Sequence, residues 1–234
     1  MKPRPAALVL SVLLLASCGG PSAADDKRAV QFGANCYRIP AWNTALMNGS
    51  VFFPFSESRK STRSLTLQFS NAEIAAQLPG YVVPLMTTGA PLRGSLVSLW
   101  IPTAAESAQM HANKKAMHQD IWYGLNEYST RVVEPIPGTG LYRVWPLPHG
   151  YSWMVVSRIP DVVRRDTHLA DDFWVGGCLR YDDVRKPSCD AKLEREGMVI
   201  EVSMNEEFLP RRAELGQYIT EKLASWKISC NGGS

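Results

Sequence analysis

The first 17 residues have the pattern of a secretion signal, and this feature constrains the rest of the chain more than any other. Lys2 and Arg4 form a basic start, and residues 6–15 are apolar except for Ser11. A run of this length is shorter than the about 20 residues that a helix needs to cross a bilayer, so it fits the apolar part of a leader peptide. We therefore expect the remaining chain to fold outside the cytoplasm, where cysteines form disulfides.

Residues 15–18, with the sequence Leu-Ala-Ser-Cys, resemble the lipobox of bacterial lipoproteins. The small residues at positions 16 and 17 admit the peptidase, and the thiol of Cys18 accepts a diacylglyceryl group. The resemblance implies that Cys18 becomes an N-terminus bearing palmitate-type acyl chains, each buried CH₂ contributing about 0.8 kcal/mol to anchoring. Because Gly19 stands where inner-membrane retention usually shows Asp, it also implies an outer-membrane anchor facing the periplasm, with the inner membrane as the alternative.

The segment from Cys18 to position 35 is small, polar and rich in turn-forming residues, which predicts a flexible tether. Residues 36–234 then suit a single periplasmic domain. Removing Lys2 and Arg4 from the 25 basic residues leaves 23 against 22 acidic residues. Such a balance gives no general attraction to nucleic acid, so we expect no nucleic-acid partner.

Four cysteines follow Cys18, and they allow three disulfide pairings. We favour Cys178–Cys189, which flank a short loop, and Cys36–Cys230, which would tie the start of the domain to its end. The spacings match no zinc pattern, and no C-x-x-C is present. We therefore expect neither a metal nor another cofactor.

The local patterns predict an α+β fold with a largely antiparallel sheet, helices packed on one side, and disulfides that staple it. Capping boxes at residues 70–73 and 103–106 predict helix starts, and Pro210 suits the first turn of a third helix that ends near Lys227. Alternating or continuous apolar runs predict strands at 65–69, 95–101, 141–145, 151–159, 173–181 and 198–204.

Catalytic motifs are not evident. Residues 150–154 begin like a nucleophile elbow but lack its final glycine, so we interpret Ser152 as an ordinary strand residue. His111 and His118 lie two helical turns apart, about 10 Å, which is too far to share a metal ion. We expect both histidines on a solvated helix face with Lys114 and Lys115. The chain is thus predicted to bind a partner rather than to be an enzyme.

Two segments are candidates for binding a protein partner. The first surrounds a proline-rich turn, and the second is a charged loop that the Cys178–Cys189 bond would hold. Their candidate residues are Trp145, His149, Tyr151, Asp182, Asp183, Arg185 and Lys186. Tyrosine and tryptophan with one polar end are common interface anchors.

The overall layout resembles that of the periplasmic immunity lipoproteins paired with type VI secretion effectors, in particular those that block antibacterial phospholipases. The resemblance rests on the lipobox, on Cys36 soon after the tether, and on an ending with a strand, an amphipathic helix and Cys230. It implies a stoichiometric inhibitor that binds a secreted toxin. The alternatives are an accessory lipoprotein subunit of an envelope assembly or secretion machine, and a hydrolase acting on lipid or peptidoglycan.

The lipid anchor predicts a specific change of location. The Cys18→Ala variant lacks the thiol that carries the acyl chains, so we expect it in the soluble periplasmic fraction. Immunoblotting of membrane and soluble fractions measures this. Continued membrane attachment of the variant would contradict lipidation as the anchor.

Overall fold

A computed structural model describes residues 27–44, 62–81, 94–148, 150–157, 173–180 and 187–230. Eleven strands lie within these ranges. In chain order they are Lys27–Phe32 (β1), Asn35–Pro40 (β2), Ser64–Ser70 (β3), Gly94–Trp100 (β4), Val132–Ile136 (β5), Leu141–Trp145 (β6), Ser152–Val156 (β7), Trp174–Leu179 (β8), Ser188–Arg195 (β9), Met198–Asn205 (β10) and Lys227–Ile228 (β11).

The strands form two sheets in which all paired neighbours are antiparallel. The larger sheet has eight strands in the order β3-β4-β10-β9-β8-β7-β6-β5, and the smaller has the order β1-β2-β11. From β5 to β10 each strand pairs with the next along the chain, so this part is a meander of hairpins. The predicted class, α+β with a largely antiparallel sheet, is confirmed.

Three α-helices accompany the sheets: Asn71–Gln77 (α1), Ala104–Tyr123 (α2) and Arg212–Trp226 (α3). Both predicted helix starts are confirmed. Ser70 caps α1, and Thr103 and Glu106 form the capping box of α2. Pro210 lies in a 3₁₀ helix over Glu206–Arg211 that leads into α3. None of the helices in the described ranges is long and apolar enough to cross a membrane.

The main core lies between one face of the large sheet and helices α1 and α3. Side chains alternate across a strand, so Leu67 and Phe69 of β3 face this core together and are fully buried. On α3, Leu215, Ile219 and Leu223 recur every four residues and meet the same core. A helical stripe therefore covers a strand face, as the two periodicities predict.

Helix α2 packs on the opposite face of the large sheet. Its buried Ile121 and Trp122 belong to a second cluster with Val144 of β6, Val156 of β7 and Phe173. The helices therefore lie on both faces, whereas the sequence predicted them on one side. The physical reason is that strands β6 and β7 carry apolar residues on both faces, so each face needs a cover.

The predicted strands are present in the large sheet, but β5 and β9 of that sheet and all three strands of the small sheet were not predicted from the sequence. Strand β5 contains Pro135, which has no backbone N–H to donate and is typical of an edge strand. Strand β9 alternates buried Cys189 and Ala191 with exposed charged residues, a pattern too polar to stand out. Pairing with β10 along its whole length holds it in the sheet.

The folded part also begins earlier than the predicted tether boundary at position 36. Residues 27–32 form β1, which pairs with β2 across a tight turn. Gly33 takes a φ of 59° in this turn, a conformation that glycine adopts without strain. Phe32 is buried in the main core, which fixes the hairpin to the domain.

Both favoured disulfides are present. Cys178 of β8 and Cys189 of β9 face each other directly in the sheet, with Cα atoms 4.0 Å apart. Cys36 of β2 is bonded to Cys230, and this bond spans 194 residues of sequence. In the chain-entropy model a loop of this length stabilises the fold by up to about 5 kcal/mol.

Gly176 provides a test of the packing beneath the 3₁₀ helix. A Cβ at this position would lie 2.8 Å from the backbone oxygen of Asp190 and 3.3 Å from Leu209. We expect Gly176→Ala to lower the free energy of unfolding by about 1–3 kcal/mol, measured by urea denaturation. Gly177→Ala is the matched control, because its Cβ would meet only Met154 at 3.6 Å. Equal stabilities of the two variants would contradict the packing.

Candidate functional site

The β6–β7 hairpin places two tryptophans side by side on the main-core face of the sheet. Arg143 of β6 lies opposite Val155 of β7. Because side chains alternate, Trp145 and Trp153 share the face of this pair, and their ring centroids lie 4.3 Å apart. Trp145 is buried at one end of the hairpin, and its Nε1 donates a hydrogen bond to Glu134 of β5 at 3.3 Å.

A buried carboxylate holds this face of the hairpin in place. Glu206, which follows β10, is only 4% exposed. Its Oε1 accepts hydrogen bonds from Nε1 of Trp153 and from Nε of Arg143, both at 2.8 Å, and its Oε2 accepts a second bond from the guanidinium. The hydrogen bonds that Arg143 donates to the Glu206 carboxylate raise the pKa of Arg143 above its usual value. The hairpin is thereby tied to the end of β10, which lies three positions from β7 and four from β6 in the sheet.

Arg180 lies over the tryptophan pair. Its guanidinium carbon is 5.6 Å from the ring centroid of Trp145 and 5.6 Å from that of Trp153, within the range of cation–π attraction. Its backbone N–H donates to the carbonyl of Tyr151 at 2.8 Å. The side chain is exposed, so the cation sits on an aromatic surface at the border with solvent.

Exposed apolar side chains lie at this end of the hairpin. Tyr151, whose carbonyl accepts the backbone hydrogen bond of Arg180, is 65% exposed, and Leu147 in the turn is 60% exposed. We call Leu147, Tyr151 and Arg180 the rim. Leu179 of β8 is 42% exposed, but its alternation with Cys178 turns its side chain to the opposite face of the sheet. Ser152 pairs with Leu179, so the last residues of β8 lie beside the first residues of β7. The Cys178–Cys189 bond lies directly behind the rim and is buried.

The rim can supply an apolar contact surface with one fixed positive charge. Its support is a sheet whose main-core face carries both the Cys178–Cys189 disulfide and the Glu206 network. Such a surface loses little conformational entropy when a partner binds, because its backbone and the tryptophan pair are already held. The arrangement therefore suits recognition of another protein.

The structure brings together only some of the predicted binding residues. Trp145 and Tyr151 lie in the same region, Trp145 in the supporting pair and Tyr151 in the rim. The others lie outside the described residues: His149, Asp182, Asp183, Arg185 and Lys186. Cys18 also lies outside the described residues. The binding role of these residues stays a prediction.

Sequence reasoning missed Arg143, Trp153, Arg180 and Glu206 as members of the site. Aligning β6 with β7 by their alternation would have placed Trp153 beside Trp145. Arg180 and Glu206 had no comparable signal, because their contacts depend on the order of strands in the sheet. Ser152 lies in strand β7 as predicted.

One prediction about the histidines is wrong. His111 is exposed, but His118 is only 7% exposed. Its ring centroid lies 4.7 Å from that of Phe173 and 6.1 Å from that of Trp122. The turn of α2 that carries His118 packs against the second cluster, so this position faces the sheet. In the described ranges no group of three or more His, Cys, Asp or Glu residues is placed to hold a metal ion.

Neither a family model nor a curated protein matches this chain. A solved structure with some similarity is that of Smlt3025, an immunity protein of the Stenotrophomonas maltophilia type IV secretion system. The alignment covers 87% of this chain and 94% of that chain, with 9% sequence identity and a TM-score of 0.44.

The Glu206 network predicts a large loss of stability when its charge is removed. Glu206→Gln leaves Arg143 without its anion in a partly buried position, so we expect the free energy of unfolding to fall by about 2–4 kcal/mol. Urea denaturation measures the change. Glu207→Gln is the control, since Glu207 is exposed and its change should stay within about 0.5 kcal/mol. Similar values for both variants would contradict a network centred on Glu206.

Proposed function

We propose that this chain is a membrane-anchored periplasmic immunity protein that neutralises a secreted antibacterial effector, a phospholipase-type toxin, by direct tight binding. The observation that carries the proposal is the rim, where Leu147 and Tyr151 are more than half exposed beside a fixed arginine. Large apolar side chains are costly to expose to water, and grouped exposure of this kind is typical of surfaces that bind proteins.

The composition of the rim supports tight binding. Interface residues that contribute most to affinity are enriched in Trp, Tyr and Arg, and they cluster where water is excluded. Tyr151 and Arg180 are joined through a backbone hydrogen bond and lie beside the tryptophan pair. A partner that covers the rim would bury aromatic and aliphatic area against a rigid base.

The predicted lipid anchor supports the choice of a membrane-active toxin. A protein held at the periplasmic face of the outer membrane by Cys18 shares that surface with an enzyme that attacks phospholipids. Confinement to one surface raises the effective concentration of the two proteins, so inhibition begins at low copy number. Binding would then block or distort the active site of the effector.

A competition assay between sibling cells tests the proposal. Cells that lack this gene should be killed by neighbours that secrete the effector, and a plasmid copy of the wild-type gene should restore survival. With the double variant Leu147→Ser, Tyr151→Ser, the number of surviving cells should be at least about tenfold lower than with the wild-type gene, because the apolar contact is lost.

The control variant is Leu96→Ser, which removes a leucine that is 49% exposed on β4, far from the hairpin in the order of strands. It should protect as the wild type does. Full survival of the deletion strain would contradict the immunity function, and equal protection by the double variant would exclude the rim. If the neighbouring genes encode a transport or secretion machine instead of a toxin, the accessory-subunit function would replace this one.

A further inference from the structure

Arg180 and Arg143 differ in the groups that interact with their positive charges. Arg143 makes two hydrogen bonds to Glu206, so its charge is neutralised inside the protein. Arg180 is exposed and contacts the faces of Trp145 and Trp153, and no carboxylate in the described ranges pairs with it. A cation–π contact attracts the guanidinium to the rings but does not consume its N–H donors.

The main chain of Arg180 and the rings beneath its guanidinium are held before any partner arrives. The main chain of Arg180 is bonded to Tyr151, and two residues earlier Cys178 is bonded to Cys189. The tryptophan rings below are held by Glu206 and Glu134. A planar fork of N–H donors presented in this way matches the two oxygens of a carboxylate, and the low ordering cost favours a strong charge-assisted pair.

We propose that Arg180 receives an Asp or Glu side chain of the effector, and that the effector flanks this carboxylate with an apolar side chain that packs on Leu147 and Tyr151. The inference rests on the proposed function and adds to it the chemistry of the partner surface. The pair would lie on the aromatic surface of Trp145 and Trp153, which excludes water on one side and strengthens the ionic hydrogen bonds.

The same fork could also bind a phosphate, as in a lipid headgroup, but the surroundings favour a protein carboxylate. Recognition of anionic lipid surfaces generally uses clusters of about four to eight basic residues. In the part of the chain that the structure describes, the rim carries one cation, and its neighbours Leu147 and Tyr151 are apolar or aromatic. This mixture resembles the centre of a protein interface.

Calorimetric titration tests the inference. The mature lipoprotein, purified in detergent, is titrated with a catalytically inactive form of the effector that the neighbouring gene encodes. Arg180→Glu should raise Kd about a hundredfold or more, because it places two carboxylates against each other, and Arg180→Lys should raise it about tenfold, because the two-pronged geometry is lost. Lys115→Glu, which makes the same charge change at an exposed site on α2, should stay within about twofold of wild type.

A charge exchange identifies the partner group. When the facing Asp or Glu of the effector is replaced by Lys, Arg180→Glu should bind this effector variant with a Kd at least about tenfold lower than its Kd for the unchanged effector. Urea denaturation of each variant checks that the fold is intact. Failure of every acidic effector residue to restore binding would overturn the carboxylate assignment.

The possible failures are distinguishable. If wild type binds the effector and Arg180→Glu binds it equally well, the inference is overturned and the proposed function stands. If wild type does not bind the effector at all, both are overturned. If wild type binds short-chain dihexanoylphosphatidylglycerol and Arg180→Glu does not, the arginine recognises a lipid phosphate, and the protein carboxylate is excluded.

Discussion

The carboxylate of Glu206 is the group on which the arrangement of the hairpin depends. It is removed from water, which is costly for a charge, and it is tolerated because three N–H donors from Arg143 and Trp153 converge on it. The contact joins the end of β10 to strands β6 and β7, so it spans the meander rather than one turn. Any movement of this half of the sheet would leave a buried charge without partners.

The position of the rim follows from that constraint. Trp153 is held by Glu206, Trp145 packs against Trp153 with the two rings tilted by 37°, and Arg180 lies over both rings. The Cys178–Cys189 bond restrains the strand that carries Arg180. The rim exposes apolar groups to water, which costs free energy. The buried residues beneath it stabilise the fold enough to offset this cost. This is why an exposed apolar surface with an energetic cost persists in the folded protein.

The two faces of the large sheet have different roles. The face under α1 and α3 carries the continuous core that includes Phe69, Leu215 and Ile219. The opposite face is apolar mainly under the C-terminal half of α2, where His118 packs against Phe173. Elsewhere this face is polar, as in the ion pair between Lys192 and Glu201. The rim lies at the turn end of the β6–β7 hairpin, beside the end of β8.

The sequence by itself determined the local elements of this protein, namely the capped helix starts and most strands of the large sheet, because each depends on neighbours in the chain. It left three disulfide pairings possible and favoured the two bonds that the structure contains. It identified Trp145 and Tyr151, since aromatic residues beside a proline-rich turn are visible without a fold. Only the tertiary structure decided that α2 covers the second face, that residues 27–32 are a strand, and that Arg180 and Glu206 meet the hairpin. Those contacts join residues far apart in the chain, and the order of strands, which no local pattern encodes, sets which of them touch.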